Sequence, residues 1–392
     1  MDKIQFLDLE RQPIANRFLN EDEFENEFFY NLSMGFNQET ALVTQMNYVD
    51  APMMFNDEYA YRGSMSKTMV EHFASFSDYI KQHLPNSQAR VLEIGSNDGV
   101  FLKNWSPVST FAVEPCGNFA AETNQQGYKT YNDFWDNNLS AKILHDEKGP
   151  MDLVFAANCM CHIPDLDEAF SAVEEILSAN GLFIFEDPSL VNMINCNSYD
   201  QIYDEHPHVF SVTALQNILK RNGLAIVRVD NINVHGGSNR IYAKRTRYAN
   251  QDASVEDNLK LERNMELHEL STFDKFAENV RTSKANLIEI LSRFKNENKK
   301  VISYGATSKS TTVFNYCQIG TDLIEYITDT TPEKQGKHSP GMHIPIITPE
   351  EGFNNLVDCA FLGAWNFAEE IRSKEKNFKG KFLTHVPHVR LL

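Results

Sequence analysis

Residues Val91-Leu92-Glu93-Ile94-Gly95-Ser96-Asn97-Asp98-Gly99 decide how this chain folds. A short apolar run, Arg90–Ile94, reads as a strand entering a turn with a glycine at each end, and a helix is expected from about Val100. Glycine takes positive φ and lets the backbone pass close to a ligand. Acidic side chains at such a turn oppose a pyrophosphate and suit a cationic or hydroxyl-rich ligand. The next strand, Thr110–Glu114, ends in a carboxylate nineteen residues after Gly95, placed to accept hydrogen bonds from ribose hydroxyls. The bland alternative is an ordinary tight strand-to-helix turn. A dinucleotide site is disfavoured because the Gly-x-Gly-x-x-Gly fingerprint is absent.

Working outward, further β-type runs stand at Asp152–Ala156, Leu182–Glu186, Ala225–Val229 and Arg240–Lys244. Amphipathic segments such as Asp167–Ser178 and Val212–Arg221 lie between them. Strand–helix alternation at this spacing implies an open, mainly parallel α/β sheet. From Ser238 to Tyr304 there is neither Gly nor Pro. Phe273, Phe276, Val280, Leu287, Leu291 and Phe294 recur near a 3.6 period, so 256–297 is expected to form one or two long helices. A second alternation follows at Lys300–Tyr304, Glu325–Asp329, Cys359–Gly363 and Lys381–Val386. Residues 1–70 show no clear periodicity. The expected organisation is an N-terminal lobe (1–72), an α/β domain (73–250), a helical connector (251–298) and a second α/β domain (299–392).

A length of 392 residues suits several domains. The formal net charge of −18 argues against a nucleic-acid polymer as partner. No apolar run reaches the roughly 18 residues of a membrane span. The start, Met1-Asp2-Lys3-Ile4-Gln5, lacks signal-peptide character. The six cysteines, Cys116, Cys159, Cys161, Cys196, Cys317 and Cys359, form no Cys-x-x-Cys pair and leave the first 115 residues empty. Reduced thiols in a cytoplasmic protein are expected.

Polar side chains cluster in three places. Asn158 and His162 follow the third strand, where ligand-facing residues gather in open sheets. Cys159 and Cys161 beside them are expected to pack, since Cys-x-Cys shows no further ligand nearby. Residues 199–211 read Tyr-Asp-Gln-Ile-Tyr-Asp-Glu-His-Pro-His-Val-Phe-Ser. Tyr203, Asp204, Glu205, His206 and His208 crowd together there, which suits proton transfer with a carboxylate orienting a histidine. A divalent metal on Asp204, His206 and His208, or a solvated loop, is the alternative. Third, Val234-His235-Gly236-Gly237-Ser238-Asn239-Arg240 suggests close backbone approach to an oxygen-rich ligand, with an exposed-arginine turn as its alternative.

The Glu93, Gly95, Gly99 pattern resembles the S-adenosylmethionine loop of class I methyltransferases, with Asn97 at the middle glycine. The whole set resembles the nucleotide-sugar C-methyltransferases of deoxysugar biosynthesis, over nearly the full chain. Carrying segments are Phe6-Leu7-Asp8-Leu9-Glu10-Arg11-Gln12-Pro13-Ile14-Ala15-Asn16, Tyr59-Ala60-Tyr61-Arg62-Gly63-Ser64, Ile202-Tyr203-Asp204-Glu205-His206, His235-Gly236-Gly237-Ser238 and Tyr304-Gly305-Ala306-Thr307-Ser308-Lys309. Further pieces are Asp329 to Lys337, Pro340-Gly341, Ile344-Pro345-Ile346 and Ala364-Trp365-Asn366. The resemblance implies a class I methyltransferase Rossmann-like domain flanked by a small N-terminal lobe and a second C-terminal Rossmann-like α/β domain.

It also implies methyl transfer to carbon beside the ketone of a nucleotide-linked 4-keto deoxysugar. Base-assisted enolisation would supply the carbon nucleophile. His206 would remove or relay the proton, with Glu205 orienting it. Tyr203 and His162 would bond the keto or enolate oxygen, and Tyr61 would reach in from the lobe. Glu93, Gly95, Ser96, Asn97, Gly99, Glu114 and Asn158 would hold S-adenosylmethionine. Tyr59, His235, Arg240 and Lys309 would hold substrate, Arg240 at the diphosphate and Lys309 with the preceding turn amides at an anion.

Two departures stand out. The family's N-terminal zinc needs two Cys-x-x-Cys pairs; here Asn37 and Thr40 occupy the matching second pair, so no zinc is expected. Asp204 replaces the usual histidine. Methyl transfer to oxygen or nitrogen, and a catalytically inactive sugar-binding homologue, are the competing functions.

Overall fold

The computed structural model describes residues 3–84, 88–354 and 356–392; Met1 and Asp2, part of the stretch weighed as a leader, lie outside them. The N-terminal lobe is an antiparallel meander of β1 (Ile4–Pro13), β2 (Phe29–Asn37) and β3 (Leu42–Gln45). These strands escape a periodicity reading for a physical reason. β2 is buried at every position from Leu32 to Asn37, so both of its faces are covered and the polar alternation of a half-exposed strand disappears. Asn37 also closes the β2–β3 turn: its Oδ1 accepts from the amides of Glu39 and Thr40 at 3.0 Å each.

The second sheet is built from β4 (Val91–Ile94), β5 (Thr110–Val113), β6 (Lys129–Tyr131), β7 (Met151–Ala157) and β8 (Leu177–Pro188). The two-residue β9 (His208–Val209) leaves this domain and pairs with β3 as the fourth strand of the lobe. β10 (Leu224–Ile232) and β11 (Ser238–Arg245) return to the second sheet, whose order is β10-β11-β8-β7-β4-β5-β6. All neighbours are parallel except β11, which runs antiparallel between β10 and β8. This is the class I methyltransferase arrangement. The chain runs outward from β4 through β5 to β6, then crosses back to β7 on the other side of β4. That switch opens a crevice at the carboxyl end of β4, the loop with which the sequence reading began. The helix expected from Val100 is instead a turn leading into a short 3₁₀ segment, Leu102–Asn104.

The connector forms two helices, Ala253–Asn264 and Leu270–Asn296, broken at Glu266, which takes φ +54°. The first buttresses the α/β domain. Glu262 accepts from the amides of Val212 and Thr213 at 2.6 and 2.9 Å, satisfying free donors at the start of helix Val212–Arg221. The second lays Phe273 against Phe6 and Phe36, with ring centroids 5.0 and 4.6 Å apart. Its remaining apolar positions join one continuous core with the lobe and the last domain.

The last domain has β12 (Val301–Tyr304), β13 (Ile327–Thr328), β14 (Ile346–Ile347), β15 (Cys359–Leu362), β16 (Lys381–Thr384) and β17 (Arg390–Leu391). Their order is β14-β13-β12-β15-β16-β17, parallel apart from β17. Here too the connections diverge at the central strand, β12, so this sheet offers a second crevice at its carboxyl end.

His208 sits buried at the β3–β9 joint, with its Nε2 3.2 Å from the Pro164 carbonyl oxygen. Burial pushes its pKa down to about 4. The folded protein therefore holds it neutral where the unfolded chain protonates it, and stability is lost as pH falls from about 6.5 towards 4. His208→Gln should flatten this slope by up to about 1.4 kcal/mol per pH unit. Denaturant unfolding at pH 7, 6 and 5 checks this, and parallel slopes for both proteins would refute it.

Candidate active site

The two crevices face one another across a single cavity of about 660 Å³. Its walls come from the lobe, the carboxyl ends of β4, β5 and β7, the 199–209 turn, and the last domain.

At the β4 end, Gly95 takes φ +73°, and a Cβ there would come within 2.7 Å of Cys159 Sγ. Asn97, at φ +48°, donates its amide to Glu114 Oε2 at 2.7 Å, and Cys116 donates its amide to Oε1 at 2.8 Å. Burial raises the pKa of Glu93 and of Glu114, in the latter against its two amide donors. Glu93 Oε2 and Ser96 Oγ are buried with no hydrogen-bond partner among the described residues. Glu93, Gly95, Ser96, Asn97, Glu114 and Asn158 all line the cavity. Gly99 does not: it turns the chain behind the loop, where a Cβ would meet Gln126 and Thr123 at 3.1 Å. A strap from the lobe crosses this loop. Gly63 donates its amide to Asn97 Oδ1 at 3.0 Å, and Ser64 donates its amide to Asp98 Oδ2 at 3.1 Å and its hydroxyl to the same oxygen at 2.5 Å.

The 199–209 turn is buried throughout. His206 Nδ1 lies 2.7 Å from the Gln201 carbonyl oxygen, which can only accept, so Nδ1 carries the proton and Nε2 a lone pair. The Tyr203 hydroxyl lies 2.8 Å from Nε2 and donates to it. Burial, with Lys309, His162 and His235 nearby, holds the His206 pKa well below its usual value. Burial and the Glu205 charge raise that of Tyr203. His162 stacks on His206 with ring centroids 5.1 Å apart. Its pKa is pushed down to about 3 by burial, and its Nε2 is unpartnered among the described residues. Tyr61 also lines the cavity, its pKa pushed up to about 12 by burial.

Several expectations need correction. Glu205 does not orient His206; it accepts from Asn16 Nδ2 at 2.5 Å and from the Tyr59 hydroxyl at 2.8 Å. Tyr59 is thereby tied to Glu205. Arg240 is not at a phosphate site. It is buried away from the cavity, donates to Glu186 Oε1 at 2.6 Å, and lies 3.8 Å from the Phe76 ring centroid. His235 does line the cavity, its pKa pushed down to about 3 by burial. The paired glycines beside it serve packing: a Cβ on Gly236 would strike the Trp365 ring, and one on Gly237 the Asn192 side chain. Cys161 is not isolated from further ligands, because the fold sets His206 beside it and His162.

In the last domain Lys309 faces the cavity from the first turn of helix Ser308–Cys317. Burial lowers its pKa, against the opposing charges of Asp200 and Glu205. The preceding turn is less open to an anion than expected. Gly305 donates its amide to the Thr328 carbonyl at 2.8 Å and Ala306 to Asp329 Oδ2 at 2.7 Å.

Known proteins match this organisation. A family described as methyltransferase domain matches residues 65–229, and one described as C-methyltransferase C-terminal domain matches 233–387. The C-methyltransferase NovU of Streptomyces niveus is 29% identical over 388 residues, 97% of this chain and 92% of that one. The chain is an S-adenosylmethionine-dependent methyltransferase, and its C-terminal part is similar to C-methyltransferases. Partial superposition is found on an S-adenosylmethionine-dependent methyltransferase of Clostridium acetobutylicum (16% identity, 44% of this chain and 91% of that one, TM-score 0.34). Another is a methyltransferase of Anabaena variabilis (12%, 45% and 85%, TM-score 0.37).

The β4 crevice of this methyltransferase fits its cofactor. Unpartnered Glu93 and Ser96 oxygens suit a cationic ammonium and sulfonium, the Glu114 carboxylate can accept from ribose hydroxyls, and Gly95 leaves the backbone approachable. The bound cofactor supplies an electrophilic methyl group. Gly95→Ala should lower S-adenosylmethionine affinity by about 5–30-fold, since a Cβ pressed against Cys159 shifts the free loop out of its positive φ and restoring the binding shape costs about 1–2 kcal/mol. Calorimetric titration of the folded variant measures this; unchanged affinity would remove Gly95 from the cradle.

Proposed function

We propose that this methyltransferase alkylates the carbon beside the ketone of a nucleotide-linked 4-keto deoxysugar. The observation that carries the reading is the Gln201–His206–Tyr203 chain. It presents a neutral base and a phenol to a cavity that has a methyl-donor cradle on one side and the Lys309 ammonium on the other. A methyltransferase acting on oxygen or nitrogen would need a base but not a ketone-activating set, whereas a C–H beside a carbonyl calls for both.

In this reading the sugar lies between the two crevices with its phosphates towards Lys309. The Tyr203 oxygen takes the α-proton while its own proton passes to His206 Nε2. The C–H bond breaks, a phenol O–H is exchanged, and His206 becomes an imidazolium whose Nδ1–H still bonds the Gln201 carbonyl. His162 and Tyr61 border the position of the enolate oxygen. When bound, S-adenosylmethionine would supply the methyl group, its S–CH3 bond giving way to the new C–C bond with the thioether as leaving group; the fixed turn would hold the nucleophilic carbon towards the cradle of Glu93, Gly95, Ser96, Asn97 and Glu114. Glu205, held by Asn16 and Tyr59, acts on position rather than as a proton carrier.

Wash-out of α-deuterium from a 4-keto nucleotide sugar tests this directly. His206→Ala and Tyr203→Phe should each slow exchange and methyl transfer by about 10²–10⁴-fold. Near-normal exchange in both would remove the dyad from the reaction. With the His206 pKa held low, wild-type exchange should stay level from pH 8 to 6.5, and an inflection above 6.5 would contradict the neutral-base assignment. Lys309→Ala should raise KM for the nucleotide sugar about tenfold or more, the scale of one charge-assisted hydrogen bond, with KM for S-adenosylmethionine unchanged. Equal shifts in both would place Lys309 elsewhere.

A further inference from the structure

We infer that Cys161, His162 and His206 form a binding site for a thiophilic divalent cation such as Zn²⁺, and that its occupation switches the enzyme off. One ligand atom from each of the three residues lies within 4.8 Å of the others. Cys161 and His162 share a single 3₁₀ turn, Met160–His162, which the sheet holds at the carboxyl end of β7. His206 arrives from the separate 199–209 turn. Donors of a tetrahedral zinc site sit roughly 3.5 Å apart, so rotamer adjustments of about an ångström close the set around an ion.

The donor chemistry suits such a cation. The His206 Nδ1 proton is fixed on the Gln201 carbonyl, which leaves the Nε2 lone pair for coordination. His162 Nε2 is buried and has no hydrogen-bond partner among the described residues. Cys161 is buried, and Asp187, the residue after Glu186 on β8, borders its thiol as a carboxylate able to compensate the ion's second charge. Both histidines line the cavity, which gives an entry path and a fourth coordination position for water. On binding, the Cys161 S–H proton is released to buffer, the sulfur–metal bond forms, and no redox change occurs.

Occupation removes His206 Nε2 from the Tyr203 hydroxyl. Inhibition, though not binding, therefore rests on the proposed role of that dyad. The site differs from the family's structural zinc lobe both in ligands and in place.

The test uses the full chain stripped of metal and titrated with Co²⁺. Wild type should bind one ion with thiolate-to-cobalt charge-transfer absorption, displaced by Zn²⁺. Cys161→Ser should abolish that absorption, Cys159→Ser should keep it, and His162→Gln should weaken binding by about 100-fold. Absence of the absorption, or its persistence in Cys161→Ser, overturns the site. Separately, Zn²⁺ should inhibit wild-type methyl transfer and EDTA restore it. Cys161→Ser should keep its basal activity and escape inhibition; equal inhibition of wild type and Cys161→Ser would overturn the switch. Because the absorption needs no turnover, failure of the sugar assignment leaves the binding result readable.

Discussion

The structure depends on how one buried turn, residues 199–209, satisfies its polar groups. Beyond the bonds it makes within itself, groups along the turn bond to the lobe and to the last domain. Asp200 accepts from Trp365 Nε1 at 2.5 Å and lies 3.4 Å from His385 Nε2, both in the last domain. The Ile202 carbonyl accepts from Thr312 Oγ1 at 3.1 Å. Gln45 of the lobe donates Nε2 to the carbonyls of Tyr203 and His206 at 2.7 and 2.9 Å. The Pro207 carbonyl accepts from the Gln45 amide and Thr44 Oγ1. A buried carbonyl left bare costs on the order of 1–3 kcal/mol, so the three domains cannot separate without exposing or orphaning this turn. The constraint that holds the molecule together is also the one that fixes the Tyr203–His206 pair.

That arrangement explains how a lobe without cysteines keeps its place. Asp204 accepts from the Ala15 amide at 3.0 Å, Asn16 bonds Glu205, and the Ala15 carbonyl accepts from Thr311 Oγ1 at 3.1 Å. Two consecutive residues of the lobe are thus bound to both other domains at once. Within the lobe, Asn37 closes the β2–β3 turn by accepting from the amides of Glu39 and Thr40. Asp204 accordingly reads as an anchor of the lobe rather than as a group of the reaction. Burial and neighbouring Glu205 raise its pKa, which suits a carboxylic acid that serves packing.

Most strands of the second and third sheets were legible because they are short apolar runs set off by turn residues, whereas β6, β14 and β17, of three, two and two residues, are too short to show a pattern; helix Val212–Arg221 matches its sequence pattern end to end. The lobe was not, because β2 is covered on both faces. Site residues divide on the same physical line. Tyr203, His206, His162 and Lys309 could be found because titratable groups concentrated at strand ends and turns are visible in one dimension. The orienting group of His206 is a backbone carbonyl, Gln201, which no side-chain pattern can mark. Arg240 misleads for the converse reason: its partner Glu186 lies on β8, next to β11 in space but 54 residues away in sequence. An arginine after two glycines looks like a phosphate ligand until the neighbouring strand supplies a buried carboxylate. Cys161 likewise gains its histidine neighbour only through the fold.

The electrostatics of the cavity bear on how a strongly acidic chain could take the anionic substrate proposed for it. Burial raises the pKa of the acids in the cofactor cradle and lowers that of His206, and both shifts temper the contrast between the cavity and an anion. Against that background the ammonium of Lys309, one of the cations that line the cavity with Lys334 and Lys374, has reach. It is among the charges that lower the His206 pKa, and it helps hold Glu205 towards its ionised form. In the proposed reading, phosphates placed at Lys309 cancel this field. His206 then becomes a stronger base, and Glu205 retains its proton more readily. Substrate binding in the last domain would therefore raise the basicity of a residue in the turn before any proton moves. The same turn that joins the domains mechanically would join them electrostatically, so that the base gains strength only when the group to be deprotonated is in place.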